Sequence, residues 1–151
     1  MLLLLFRMGA ERYALDASQV VEVVPQVCLK MIPQAPDYIA GLFDYRGRPV
    51  PVIDLCRLGT GQTCRDCMTS RIIMLNYGSD NGHRRILGLL AEQVTETIKQ
   101  DSAALISSGI SMAAAAWLGD LVKDSEGMLQ LIEVDGLLPD SLRTSLFNAE
   151  L

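Results

Sequence analysis

Histidine is almost missing from this 151-residue chain, which has only His83, and with it goes the commonest general base. A Ser-His-Asp triad would have to use that residue, which follows the turn-forming Asn81-Gly82 and precedes Arg84-Arg85. No Gly-x-Ser-x-Gly elbow accompanies it. Neither Gly-x-x-x-x-Gly-Lys nor Gly-x-Gly-x-x-Gly occurs, so no phosphate-cradling loop is encoded. With no nucleophile and base in a known arrangement, and no paired acidic motif, the expectation is a protein that is not an enzyme. Basic charge is short as well: 13 Lys and Arg face 18 Asp and Glu, for a net charge of −5, and there are only one Trp, four Tyr and three Phe. A general surface for nucleic acid or anionic lipid needs an excess of Lys and Arg, so both partners are excluded. No run of 18 apolar residues exists to span a bilayer. The opening Met1–Phe6 run has no basic flank before it and stops at Arg7, unlike a signal peptide. The expected partners are proteins or small molecules, and the expected location is cytoplasmic.

Four cysteines remain as reactive groups: Cys28, Cys56, Cys64 and Cys67. Cys64-Arg65-Asp66-Cys67 has the spacing of half a zinc site or of a redox pair. A closed zinc site would need two more ligands from Cys28, Cys56 or His83, none of them in a second paired motif. The pair also lies in a polar stretch rather than opening a helix after a strand. The expectation is reduced thiols in a loop, no metal and no cofactor, with Cys28 and Cys56 as small hydrophobes in or near the core. A redox- or metal-regulated interaction module using Cys64 and Cys67 is the alternative.

What the chain does have is apolar residues, half of the total, in short runs. These are Leu2–Arg7, Arg12–Asp16, Val20–Val24, Ile39–Tyr45, Val50–Leu55, Arg71–Tyr77, Arg85–Leu90, Val94–Ile98, Trp117–Lys123 and Met128–Val134. Ten runs separated by Gly, Asn and Asp turns predict an all-β protein. Helix is expected only at Asp54–Leu58, Ala113–Trp117 and Pro139–Phe147; in the last, Leu142, Leu146 and Phe147 share a face. The plan also repeats. Gln19-Val20-Val21-Glu22-Val23-Val24 returns 74 positions later as Gln93-Val94-Thr95-Glu96-Thr97-Ile98. Val52-Ile53-Asp54-Leu55 returns 79 positions later as Leu131-Ile132-Glu133-Val134. Each copy opens with a strand, a Gly-containing turn and a second strand, predicting two similar five-stranded barrels. The expected division is residues 1–68, residues 69–136 and a C-terminal helix over 137–151. Lobes this small bury only about 60% of their unfolded surface, so they must share apolar surface, with a groove between them.

From Gly41 to Leu55 the sequence predicts a hairpin whose tip presents Arg46 and Arg48. Pro49 and Pro51 each lack a ladder donor, which places the second strand at an edge or turns those positions away from a neighbour. A rigid cationic tip on an acidic protein suits a partner's carboxylate.

Several segments together resemble the CheW-like chemotaxis coupling family. They are Leu3–Asp16, Val20–Pro25, the stretch from Ile32-Pro33 to Ile39-Ala40-Gly41, Arg46-Gly47 with Pro51–Leu55, Ile86–Val94 and Met128–Val134. The resemblance implies two five-stranded SH3-like barrels packed side by side, with a short C-terminal helix. It implies a non-catalytic adaptor that ties a methyl-accepting chemoreceptor to a CheA-type histidine kinase, with other CheW-like copies joining in arrays. The location implied is the cytoplasmic face of the membrane, reached through the receptor. Receptor-binding positions carried over from the family are Val20, Glu22, Gly41, Arg46, Gly47, Gly88 and Gly119, centred on the groove between lobes and its rim. One departure is Asp44, where the family usually has Asn; local pairing of Asp44 with Arg46 is the expected consequence. The Arg46–Cys56 wording is similar to couplers of alternative pathways such as Wsp-type surface sensing.

Overall fold

The computed structural model describes every residue except 66–68, 81–82 and 148–151. Cys67, the Asn81-Gly82 turn and the end of the expected C-terminal helix therefore lie outside the described residues. The elements run β1 (Leu2–Met8), β2 (Glu11–Asp16), β3 (Val20–Pro25), β4 (Ile39–Tyr45), β5 (Arg48–Asp54) and α1 (Leu55–Thr60). They continue with β6 (Arg71–Asp80), β7 (His83–Lys99), β8 (Leu118–Asp124), β9 (Gly127–Ile132) and α2 (Asp140–Leu146). These are nine strands where ten runs were expected, because Arg85–Leu90 and Val94–Ile98 belong to one 17-residue strand, β7. The expected helix at Ala113–Trp117 is a single 3-10 turn over Ala113–Ala115.

β7 serves two sheets. Ala91 still pairs with Arg71 of β6, whereas Glu92 pairs with Arg7 of β1. The bend falls at Gln93, whose φ of 50° is left-handed. One barrel has the order β3-β6-β7-β5-β4 and the other β7-β1-β2-β9-β8. The orders are equivalent strand for strand: each contains three antiparallel pairings and one parallel pairing, β5 with β7 and β2 with β9. The fold is thus all-β, two five-stranded SH3-like barrels with a short C-terminal helix.

The repeat holds at the level of single residue pairs. Val52 partners Gly88 in one barrel and Leu131 partners Ala14 in the other, at the same 79- and 74-residue offsets. Glu22 opposite Met74 likewise matches Glu96 opposite Leu5. The isolated bridges Lys30–Leu42 and Ile106–Leu121 match as well.

The division at residue 68 does not hold. β1 and β2 leave the first copy to become central strands of the second barrel, and β6 with the start of β7 completes the first. The cause is the composition of β1 and β6, each buried on both faces. Leu4, Phe6 and Met8 join Ile73, Leu75 and Tyr77 in one shared core, while Leu3 and Leu5 face the second barrel's interior and Ile72 and Met74 the first's. A strand with two apolar faces belongs in the middle of the molecule, and two such strands lock the copies together. α2 caps the shared core with Leu142, Leu146 and Phe147, and Phe147 stacks on Tyr77 at 5.5 Å.

Candidate functional site

The β4–β5 turn is two residues long, with Tyr45 opposite Arg48, and both central residues have positive φ: Arg46 at 53° and Gly47 at 82°. That is the tight type I′ hairpin, whose twist matches the flanking strands. Glycine meets the requirement at position 47, while Arg46 adopts the same region at a steric cost. Asp44 secures the turn, its Oδ1 accepting the Gly47 N–H at 2.9 Å. Asp44 is thereby occupied, and the expected Asp44–Arg46 pair does not form.

Arg46 pairs instead with Glu22 of β3, Nη2 to Oε1 at 3.1 Å, and the Tyr45 hydroxyl donates to the same oxygen at 2.8 Å. The guanidinium also lies 5.1 Å over the Tyr45 ring. β3 and β4 are the outermost strands of their sheet, so this cluster ties its two ends together. Tyr45 donating to the Glu22 carboxylate holds its phenol above the usual range. The Arg46 side chain is nonetheless 76% exposed, leaving its remaining donors to solvent. Arg48 turns the other way and donates to the Arg84 carbonyl. Prolines 49 and 51 are tolerated because β5 has a second neighbour, β7, only from Val52 onward.

Glu22, Arg46 and Gly47 are therefore brought together, while Val20, Gly41, Gly88 and Gly119 take no part in these contacts. Val20 opens β3 half-buried and packs on the shared core. Gly41 has φ 145°, and a Cβ there would fall 2.5 Å from the Lys30 carbonyl oxygen, so it admits the backbone of the segment crossing β4. Gly88 lies inside the first barrel. Gly119 lies in β8, where a Cβ would press on the Leu131 carbonyl at 3.0 Å. Tyr45 is the member that sequence reasoning missed; alternation along β4 places it with Phe43 on one face, their rings 6.1 Å apart. A shallow cavity of about 250 Å³ adjoins the tip, lined by Lys30, Leu42, Phe43, Asp44, Gly47 and Pro49.

A cleft of about 330 Å³ runs between the β1–β2 turn at Gly9-Ala10 and α1, and none of the seven carried-over positions lines it. The cysteines also differ from expectation. Cys28 is exposed rather than in the core, and Cys56 and Cys64 form a disulfide rather than remaining reduced thiols. Both sulfurs are buried beside Asp54, because the segment after α1 folds back over the helix start. No helix among the described residues is long and apolar enough to cross a membrane.

The fold presents two barrel exteriors and a rigid charged hairpin, and its class is a double-barrel interaction scaffold. The CheW-like domain profile matches residues 2–142, and the chain belongs to that family of non-catalytic scaffold proteins. It is 29% identical over 138 residues to the chemotaxis protein CheW of Klebsiella aerogenes, covering 89% of this chain and 80% of that protein. It is 27% identical over 95 residues to the chemotaxis protein CheW of Helicobacter pylori, covering 62% and 54%. The crystal structure of the scaffolding protein TtCheW from Thermoanaerobacter tengcongensis matches with a TM-score of 0.75 at 28% identity, over 87% of this chain and 83% of that one.

Proposed function

We propose that the protein is a non-catalytic adaptor coupling a methyl-accepting chemoreceptor to a CheA-type histidine kinase, held at the cytoplasmic face of the membrane through the receptor. The observation that carries the docking site is the Glu22–Tyr45–Arg46 cluster, a charged and largely exposed arrangement on a turn fixed by Asp44 and Gly47. An exposed ion pair is worth only about 0–1 kcal/mol, so a receptor carboxylate can take over Arg46 from Glu22 at little cost. Receptor contact centres on Glu22, Arg46 and Gly47, with Val20 and Gly41 contributing through the packing of β3 and β4. Gly88 and Gly119 act through barrel shape. Exposed apolar side chains supply the second surface: Val27 and Met31 lie on the segment crossing β4, and Ile110, Met112 and Met128 lie on the β8–β9 side. Symmetry between the barrels gives each an end that can pair with a kinase's regulatory domain or with another CheW-like copy, building arrays.

Arg46→Glu tests the docking site. It places like charges at the tip, while circular dichroism and melting stay near wild type because the side chain is exposed. The expected result in receptor-containing membranes with kinase is loss of receptor-dependent kinase activation. Full activation by a folded Arg46→Glu protein would remove the tip from the interface.

A further inference from the structure

We propose that Cys56 and Cys64 form a reversible dithiol–disulfide site at the junction of the two barrels, oxidised by small disulfides of the glutathione class. The pair is not the Cys64-x-x-Cys67 spacing seen in the sequence. Cys56 lies in the first turn of α1 and Cys64 eight positions on, with Cα atoms 5.1 Å apart, within the span a disulfide bridges.

Three features distinguish this site from a purely structural crosslink. First, the approach of the two cysteines does not depend on the covalent bond. Asp54 accepts the Cys64 N–H at 3.1 Å and the Arg57 N–H at 3.0 Å, so one carboxylate caps α1 and holds the returning segment over it. Second, each sulfur already has an acceptor for its reduced form. Cys56 Sγ lies 3.3 Å from Glu92 Oε1, and Cys64 Sγ lies 3.4 Å from the Leu90 carbonyl oxygen. Reduction would therefore leave neither thiol hydrogen without a partner in a buried setting. Third, the site has an approach route. Cys56 lines the cleft between the barrels together with Gly9, Ala10, Thr60, Arg65 and Glu92. Arg65, its side chain 69% exposed, pairs with Glu92 at the edge of this cleft.

The site also reports to the fold. Glu92 is buried at the position where β7 passes from one barrel to the other. As a dithiol, Cys56 shares the Glu92 carboxylate with Arg65, whose Nε stands 2.6 Å from Oε2; as a disulfide, it withdraws its hydrogen from that carboxylate. The exchange balances. A cysteine thiolate attacks one sulfur of oxidised glutathione and expels a glutathione thiolate. The second cysteine thiolate then attacks the protein sulfur of the mixed disulfide and expels the other. Two protein thiols are oxidised, one glutathione disulfide is reduced to two thiols, and the two protons end on those thiols.

The test equilibrates the full chain in glutathione redox buffers and follows alkylation mass mapping and thermal melting. The expected results are a Cys56–Cys64 crosslink that forms and reverses, and a rise in melting temperature of roughly 5–10 °C on oxidation. Both should persist in the Cys28→Ser/Cys67→Ser double variant and vanish in Cys64→Ser. A crosslink to Cys67, no crosslink, an unchanged melting temperature, or bound zinc shielding the two thiols would each overturn the proposal. The Cys28→Ser/Cys67→Ser protein carries the test alone if Cys64→Ser does not fold. Arg46→Glu should leave the oxidation-dependent shift intact, which separates this site from the docking tip.

Discussion

A methyl group on Gly88 would fall 2.9 Å from Val52 Cγ2 and 3.1 Å from Ile72 Cγ2, both buried in the first barrel's interior. Neither neighbour is the end of a long flexible chain, so the strain spreads into two strands. Overpacking of this kind costs about 1–3 kcal/mol. Gly88→Ala is expected to lower the melting temperature by roughly 2–10 °C, read by calorimetry, while coupling survives below the transition. Loss of coupling in a fully folded Gly88→Ala protein would instead restore this residue to the interface. Arg46 is the opposite case, with a side chain in solvent and a partner 24 residues away in sequence. Family resemblance singled out Gly88 and Arg46 alike, because a string of residues does not separate space-filling from contact. What separates them is the meeting of β3 and β4 at the ends of one sheet. That closure also explains why Asp44, two residues from Arg46, binds the turn rather than the arginine.

Among the elements, the helix expected at Asp54–Leu58 forms as α1, Leu55–Thr60. Its start is fixed by Asp54 Oδ1 accepting the Arg57 N–H, and it ends at Gly61 with φ 80°. The Ala113–Ala115 turn shows the converse: Met112 offers no side-chain cap, three alanines offer no apolar face, and the buried Trp117 belongs to the shared core instead. β7 was divided in two because Glu92 and Gln93 break its apolar run, yet pairing on both sides carries the backbone through. Asp54 itself gives a pH-dependent prediction. Burial pushes its carboxyl above the ordinary 3.8, against the pull of the backbone N–H groups it accepts. The folded state thus binds that proton more tightly than the unfolded state. Stability contributed by this group is present at low pH and falls as pH rises from 3.8 through the raised value. Asp54→Asn keeps an oxygen for the cap and removes the charge, so its stability relative to wild type should grow across that window in urea denaturation. Asp54→Ala loses the cap and should cost about 1–2 kcal/mol at every pH. Parallel pH curves for wild type and Asp54→Asn would show that the carboxyl does not titrate with folding.

At the scale of the whole molecule, the duplicated plan could be read from the sequence, but the exchange of strands between copies could not. Repeats report which strands are equivalent, whereas barrel membership depends on which face of β1 and β6 finds which core. The order β7-β1-β2-β9-β8 draws two strands from before residue 68 and three from after it, and β3-β6-β7-β5-β4 draws three and two. Each half of the chain therefore holds parts of both barrels and a complete set for neither. A fragment of residues 1–68 keeps β1–β5 and α1 but exposes the faces of β1 that carry Leu3, Leu4, Leu5 and Phe6, all buried in the intact protein. A fragment of residues 69–151 likewise exposes β6 at Ile72–Leu75. Each fragment alone is expected to lack a cooperative thermal transition and to bind a hydrophobic dye. Mixed at equal concentration, the two should recover near-native circular dichroism and elute as a one-to-one complex, since the break at residue 68 falls between α1 and β6 and cuts no strand. Cooperative melting of either fragment as an isolated monomer would mean that the copies close on themselves, and the interleaved pairing of β1 with β7 and β2 with β9 would have to be abandoned.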